Sequence, residues 1–162
     1  IKLAGEIIST GYRKRYGIDV RTVRPTAVYG PYDANQRVLY KFITQALQGK
    51  SLQIDGDGSM ALDFTYVEDT ANGIYRVATL KAAKGETFNI ARGKSQTLSA
   101  AVSIIRESID DVKVEYGEVP DHIPNRGTLD ITKAKNLLGF QPQFSLEEGL
   151  PTYIEHLRNN PI

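Results

Sequence analysis

Helical and strand patterns take turns along this chain, and that alternation constrains the fold more than any single residue does. Leu3, Ile7, Ile8 and Tyr12 recur at helical spacing over 2–16, and Gly17 follows as a C-cap. Val20, Thr22 and Val23 form a short β-run that ends at Arg24-Pro25. A loop over 26–36 leads to a helix over 38–47, a strand over 51–54 and a turn at Asp55-Gly56-Asp57-Gly58. Leu62, Phe64 and Tyr66 alternate with polar neighbours, which predicts a half-buried strand. A helix over 67–80, a strand over 86–91, a helix from Thr97 and a strand over 112–116 follow. A short helix over 130–138 and a last helix, opened by Ser145 and Glu148 at capping-box spacing, complete the series. Such alternation builds a mostly parallel sheet joined by right-handed crossovers.

Composition narrows the chemistry. With 162 residues and 41% hydrophobic content the chain can bury a core of its own. Its formal charge of +1 is spread in mixed sign, which gives nucleic acid nothing to bind and anionic lipid no patch. Cysteine is absent, so disulfides, thiolate metal sites and thiol nucleophiles are excluded together. No apolar run approaches the roughly 20 residues that cross a bilayer. His122 and His156 have no ligand spacing around them, and the Asp-Gly-Asp-Gly run lacks the Glu of a calcium loop, so no metal site is expected. No G-x-G-x-x-G occurs, so these 162 residues contain no dinucleotide pyrophosphate cradle.

Four ordered motifs then carry a resemblance. Behind the helix start Lys2-Leu3-Ala4-Gly5-Glu6, the motifs Arg24-Pro25-Thr26-Ala27-Val28-Tyr29-Gly30-Pro31, Asp55-Gly56 with Asp63-Phe64-Thr65-Tyr66-Val67-Glu68-Asp69, Phe88-Asn89-Ile90, and Asp130 with Lys133-Ala134 and Leu138-Gly139-Phe140 follow one another at consistent spacing. Together they resemble the extended short-chain dehydrogenase/reductases of the NAD-dependent epimerase/dehydratase family, across essentially the whole chain. The resemblance implies an α/β fold: the C-terminal part of a Rossmann-like doubly wound sheet plus a small mixed α/β substrate-binding domain. Residues 1–36 would hold the last catalytic helix, strand and loop of the Rossmann-like part. Residues 37–162 would be mainly substrate-binding, with 67–91 returning to the Rossmann-like sheet.

By the same resemblance Lys2 is the lysine of a Y-x-x-x-K helix, catalytic and cofactor-binding, with its tyrosine three positions before Ile1. A lysine there lowers the tyrosine's pKa by its charge and hydrogen-bonds the nicotinamide ribose. Pro25, Thr26, Ala27 and Val28 would border the nicotinamide of NAD or NADP, and Arg126 would hold a substrate diphosphate bidentately. Arg37 is a second candidate for the substrate. Two positions depart from the family pattern: Ala27 stands where Asn is common, and Leu62 where an Arg often precedes Asp-Phe.

The implied activity is that of a NAD(P)-dependent nucleotide-sugar epimerase or dehydratase, an isomerase or lyase, working by transient hydride transfer at a sugar hydroxyl. The chain by itself would then be inactive. The whole protein would be a cytoplasmic homodimer that pairs through residues 1–16. The alternatives are a non-catalytic binding or assembly protein on the same fold, and a reductase of a non-sugar carbonyl substrate. A further expectation concerns exposure. The apolar faces of the first helix and of the 20–24 and 86–91 strands should be open to solvent if the chain stands alone.

Overall fold

The computed structural model describes residues 1–119 and 127–160. Helix α1 spans Lys2–Tyr16 and ends on Gly17 at φ 68°, as its C-cap signal predicts. Strand β1 spans Thr22–Pro25, β2 Val28–Tyr29, and helix α2 Val38–Leu47. Strands β3 (Leu52–Asp55), β4 (Ala61–Leu62) and β5 (Thr65–Tyr66) lead into α3 (Val67–Thr79). Strand β6 (Thr87–Ile90), β7 (Gln96–Thr97), α4 (Leu98–Ser108) and β8 (Val114–Gly117) follow. Helices α5 (Thr132–Leu138) and α6 (Leu146–Asn159) close the described chain.

Strand pairing is mostly parallel. Strand β1 lies beside β6 with Thr22 opposite Thr87, β2 beside β5, and β3 beside β8 with Leu52 opposite Val114. Among the described residues only β4 and β7 run antiparallel, Leu62 facing Gln96. The single strand expected through Leu62, Phe64 and Tyr66 is two short ones. Asp63 and Phe64 interrupt it because both side chains turn into the interior. Val28–Tyr29, expected as loop, pairs as a strand, and Gln96–Thr97 adds another ahead of α4.

Two apolar cores result. The larger joins α2, α4 and α6 to β3 through Leu39, Ile43, Leu52, Ile54, Ile105 and Leu150, all but free of solvent. The smaller gathers Val77 of α3, Phe88 and Ile90 of β6, and Ala134, Leu138 and Phe140 around α5. This corrects one expectation: the 86–91 strand is not open on its apolar face, because α3 and α5 cover it and leave Phe88 and Ile90 fully buried. The expectation holds for α1, which buries no residue and leaves Leu3 68% and Ile7 64% exposed.

Caps fall where the sequence puts them. Ser145 Oγ accepts the Glu148 N–H at 3.3 Å while the Ser145 N–H donates to Glu148 Oε2 at 2.8 Å. Thr97 Oγ1 likewise accepts the N–H of Ala100 at 3.0 Å. Helix α6 continues through Pro151, which sits on its exposed side.

Close approach of α3 to β6 depends on Gly73. A Cβ there would lie 2.4 Å from Ile90 Cγ2 and 3.1 Å from the Phe140 ring. Gly73→Ala is therefore expected to destabilise the fold by about 1–3 kcal/mol through overpacking, outweighing the better helix propensity of alanine. Urea unfolding measures this, and an unchanged midpoint would contradict the packing described.

Candidate active-site cleft

One cleft of about 760 Å³ opens between α1, β1 and the loop over residues 27–37. Helix α1 brings Lys2, Gly5, Glu6 and Ser9 to it, residues three or four apart that share one helical face. Strand β1 contributes Arg24 and Pro25 from its C-terminal end, and Ala27, Val28 and Arg37 line the opposite wall. Five of the residues singled out in the sequence therefore meet here: Lys2, Pro25, Ala27, Val28 and Arg37. Thr26 lies in the chain between two of them and does not line the cleft. Arg126 falls outside the described residues.

The loop is held in costly backbone conformations. Ala27 (φ 37°), Tyr32 (φ 68°) and Gln36 (φ 48°) are left-handed without being glycine, and Gly30 sits at φ 135°. L-residues with a Cβ resist this region by roughly 1–2 kcal/mol, and asparagine resists least. Ala27 is thus strained where an asparagine would not be. Its carbonyl accepts the Thr65 N–H at 3.2 Å, which fixes the conformation across β2 and β5. Asp33 Oδ1 accepts the Asn35 N–H at 3.0 Å and turns the loop tip.

Beneath the loop Tyr29 is core rather than chemistry. Its hydroxyl donates to the Ser145 carbonyl at 3.3 Å, and its ring meets Phe64, Tyr66 and Tyr153. Burial, first of several causes, pushes its phenol well above the ordinary tyrosine range, so it is no acid or base near neutrality. Leu62, in place of the customary arginine, packs against the larger core.

Two carboxylates of the third motif have structural duties that spacing alone did not reveal. Both oxygens of Asp63 accept the Gly93 N–H at 3.1 Å, and Oδ2 also accepts the Leu129 N–H at 3.1 Å. Burial pushes the Asp63 carboxyl up, and the N–H groups of Leu129 and Gly93 pull it back. Asp69 accepts the N–H of Gln143 at 2.8 Å and of Phe144 at 3.0 Å. An acid at the start of a helix suggests service to the helix dipole; Asp69 instead straps a distant segment. Neither duty was signalled locally: Asp63 alternates with Leu62 and Phe64 as a solvent-side residue would, and Asp69 lies between Glu68 and Thr70.

Helix α1 is tied to β1 by an ion pair. Arg24 donates from Nε to Glu6 Oε1 at 2.8 Å and from Nη2 to Oε2 at 2.5 Å, a bidentate fork. The Arg24 hydrogen bond holds the Glu6 carboxyl below its ordinary 4.5, and the same bond raises Arg24.

Residues 1–91 match the NAD dependent epimerase/dehydratase family. The chain belongs to that family. Among curated members it is 34% identical over 161 residues to UDP-glucuronate 4-epimerase of Thermodesulfobacterium geofontis, covering 98% of this chain and 49% of that protein. UDP-glucuronic acid decarboxylase 4 of Arabidopsis thaliana is 30% identical over 160 residues, covering 97% of this chain and 36% of its own length. The crystal structure of UDP-glucuronic acid 4-epimerase from Bacillus cereus, in complex with UDP-glucuronic acid and NAD, superposes with a TM-score of 0.91 at 29% identity. That match covers 98% of this chain and 51% of the other. The chain spans about half the length, or less, of each of these family members. Its neighbours carry the Rossmann fold of that group, as the family resemblance implies.

Two expectations follow. Asp63→Asn sets an NH2 group against backbone N–H donors and should destabilise the fold by about 2 kcal/mol in urea unfolding, whereas a neutral effect would dismiss the clasp. For Glu6, a lowered folded pKa means the pair is intact above the unfolded value of about 4.5 and is lost as pH falls through the lower folded value. The Arg24 Nε–H resonance should hold its position down to that point and move only below it; a midpoint above 4.5 is incompatible with the pairing.

Proposed function

We propose that this chain forms the nicotinamide-facing wall and most of the substrate-recognition surface of a NAD-dependent epimerase or dehydratase acting on a nucleotide-sugar. The observation that carries the reading is the meeting of Lys2, Pro25, Ala27, Val28 and Arg37 in one cleft. Support also comes from relatives of the same family whose names record UDP-sugar epimerase and decarboxylase activities, and from neighbours solved with NAD.

The cleft suits part of that cofactor. Its apolar stretch at Pro25 and Val28 accepts a flat ring, and its volume of about 760 Å³ exceeds what a nicotinamide and ribose need. The pyrophosphate has no cradle among these residues, because the chain contains no G-x-G-x-x-G. We assign that cradle, in the same proposal, to a further part of the whole protein. Bound NAD supplies hydride acceptance and return. Lys2 orients the ribose by hydrogen bonds and, through its charge, lowers the pKa of a phenol one helical turn earlier on the same face, which moves the proton at the sugar hydroxyl. Arg37, exposed at the start of α2, draws the anionic diphosphate, and Arg126 gives a second guanidinium for it.

Within this reading the smaller core belongs to the cofactor-binding sheet, with 1–36 and 67–91 on that side, and 37–162 mainly serves the substrate. The exposed stripe on α1 supports a homodimer built on residues 1–16.

The intact gene product tests the proposal. NADH fluorescence should be quenched or enhanced saturably, and UDP-glucose or UDP-glucuronate should raise the melting temperature in the presence of NAD. Lys2→Met should reduce turnover by about 10²–10⁴-fold. Absence of both NADH binding and any nucleotide-sugar shift would refute it.

A further inference from the structure

Helix α1 has an unusual attachment. None of its residues is buried within these 162 residues, so their own apolar packing is not what attaches it to β1. Among the described residues its only hydrogen bonds to another element are the two from Arg24 to Glu6. Near its C-terminal end the Arg13 guanidinium rests on Gly85, where a Cβ would stand in its way. In the N-terminal half, which carries the cleft-facing residues, the Arg24–Glu6 fork is the attachment seen among the described residues.

The fork sits where placement matters. Glu6 lies one helical turn after Lys2 on the same face, and Arg24 directly precedes Pro25. All four line the one cleft. A bidentate guanidinium–carboxylate pair fixes both distance and orientation, which a single contact between flexible chains does not. Exposed pairs of this kind contribute little to overall stability, so the information in this one is geometric.

We infer that Glu6 and Arg24 are positioning residues: their fork sets the width of the cleft by docking α1 on the end of β1, and so holds Lys2 at a fixed reach from Pro25. This deepens the cofactor reading above and rests on it for the meaning of Lys2, but the docking itself is measurable without any cofactor.

The chain has no cysteine, which permits clean labelling. Nitroxides on Ser9→Cys and Ala34→Cys stand on opposite walls of the cleft, and double electron–electron resonance on the 162-residue chain reads their separation. The parent pair should give one narrow distance distribution. Glu6→Gln and Arg24→Gln should each at least double its width while leaving the melting temperature nearly unchanged. Arg24→Lys, which keeps the charge and loses the fork, should broaden it too. The charge swap, Glu6→Arg with Arg24→Glu, should restore the narrow distribution. An unchanged width in the single variants, or a swap no better than they are, overturns the inference. So does broadening that appears only with a matching loss of melting temperature, since that marks general destabilisation. Lys2→Met should leave the distance alone, so a failed cofactor reading shows in the NADH titration and not here.

Discussion

Two buried carboxylates, Asp63 and Asp69, hold the molecule's parts in register. The larger and smaller cores share no buried side chain, and the short strands between them offer few ladder hydrogen bonds. Asp63 reaches the backbone of Gly93 and Leu129, and Asp69 that of Gln143 and Phe144. Each carboxylate thus gathers chain from far along the sequence around the junction of β5 and α3. An ionised carboxyl suits this use: its oxygens take several N–H donors at once, where a neutral side chain would leave a donor unsatisfied. Thr65, set between the two acids, adds its hydroxyl to the Arg92 N–H at 3.0 Å.

The cleft inherits its shape from this arrangement. Strand β5 pairs with β2, and that pairing draws the carbonyl of Ala27 toward Thr65 and holds a strained backbone that alanine would not choose alone. On the facing side, α1 buries none of its side chains within these 162 residues and meets β1 through the Arg24–Glu6 pair. One wall is therefore built on the interior and the other is attached from outside. The strained wall carries the groups proposed to border a ring, and the attached wall carries the lysine proposed to act on it.

Much of this was legible from residues alone. Periodicity and cap signals together located the six α-helices of the described residues, and Gly17, Thr97 and the Ser145–Glu148 box gave caps that the structure reproduces. The four motifs named the family. The junction was not legible: a strand pattern through Leu62, Phe64 and Tyr66 conceals that Asp63 points inward, because alternation assigns polar residues to the solvent side. Nor does the pattern of the 86–91 strand say that α5, more than forty residues on, returns to cover Phe88. The fork between Glu6 and Arg24 joins residues that each look like ordinary surface charge. Tertiary pairing creates their meaning.

The order of the strands also governs how the chain reaches this state. Thr22 finds its partner at Thr87, and Leu52 at Val114, so the parallel pairs close only after long intervening stretches have been gathered in. The entropy of closing such loops comes before the contacts that offset it, which slows folding relative to a helical bundle of equal size. Meanwhile helix α1 can form locally at once. Its apolar stripe then faces solvent ahead of the pairings of β1 with β6 and β3 with β8, which makes that helix a target for chaperones.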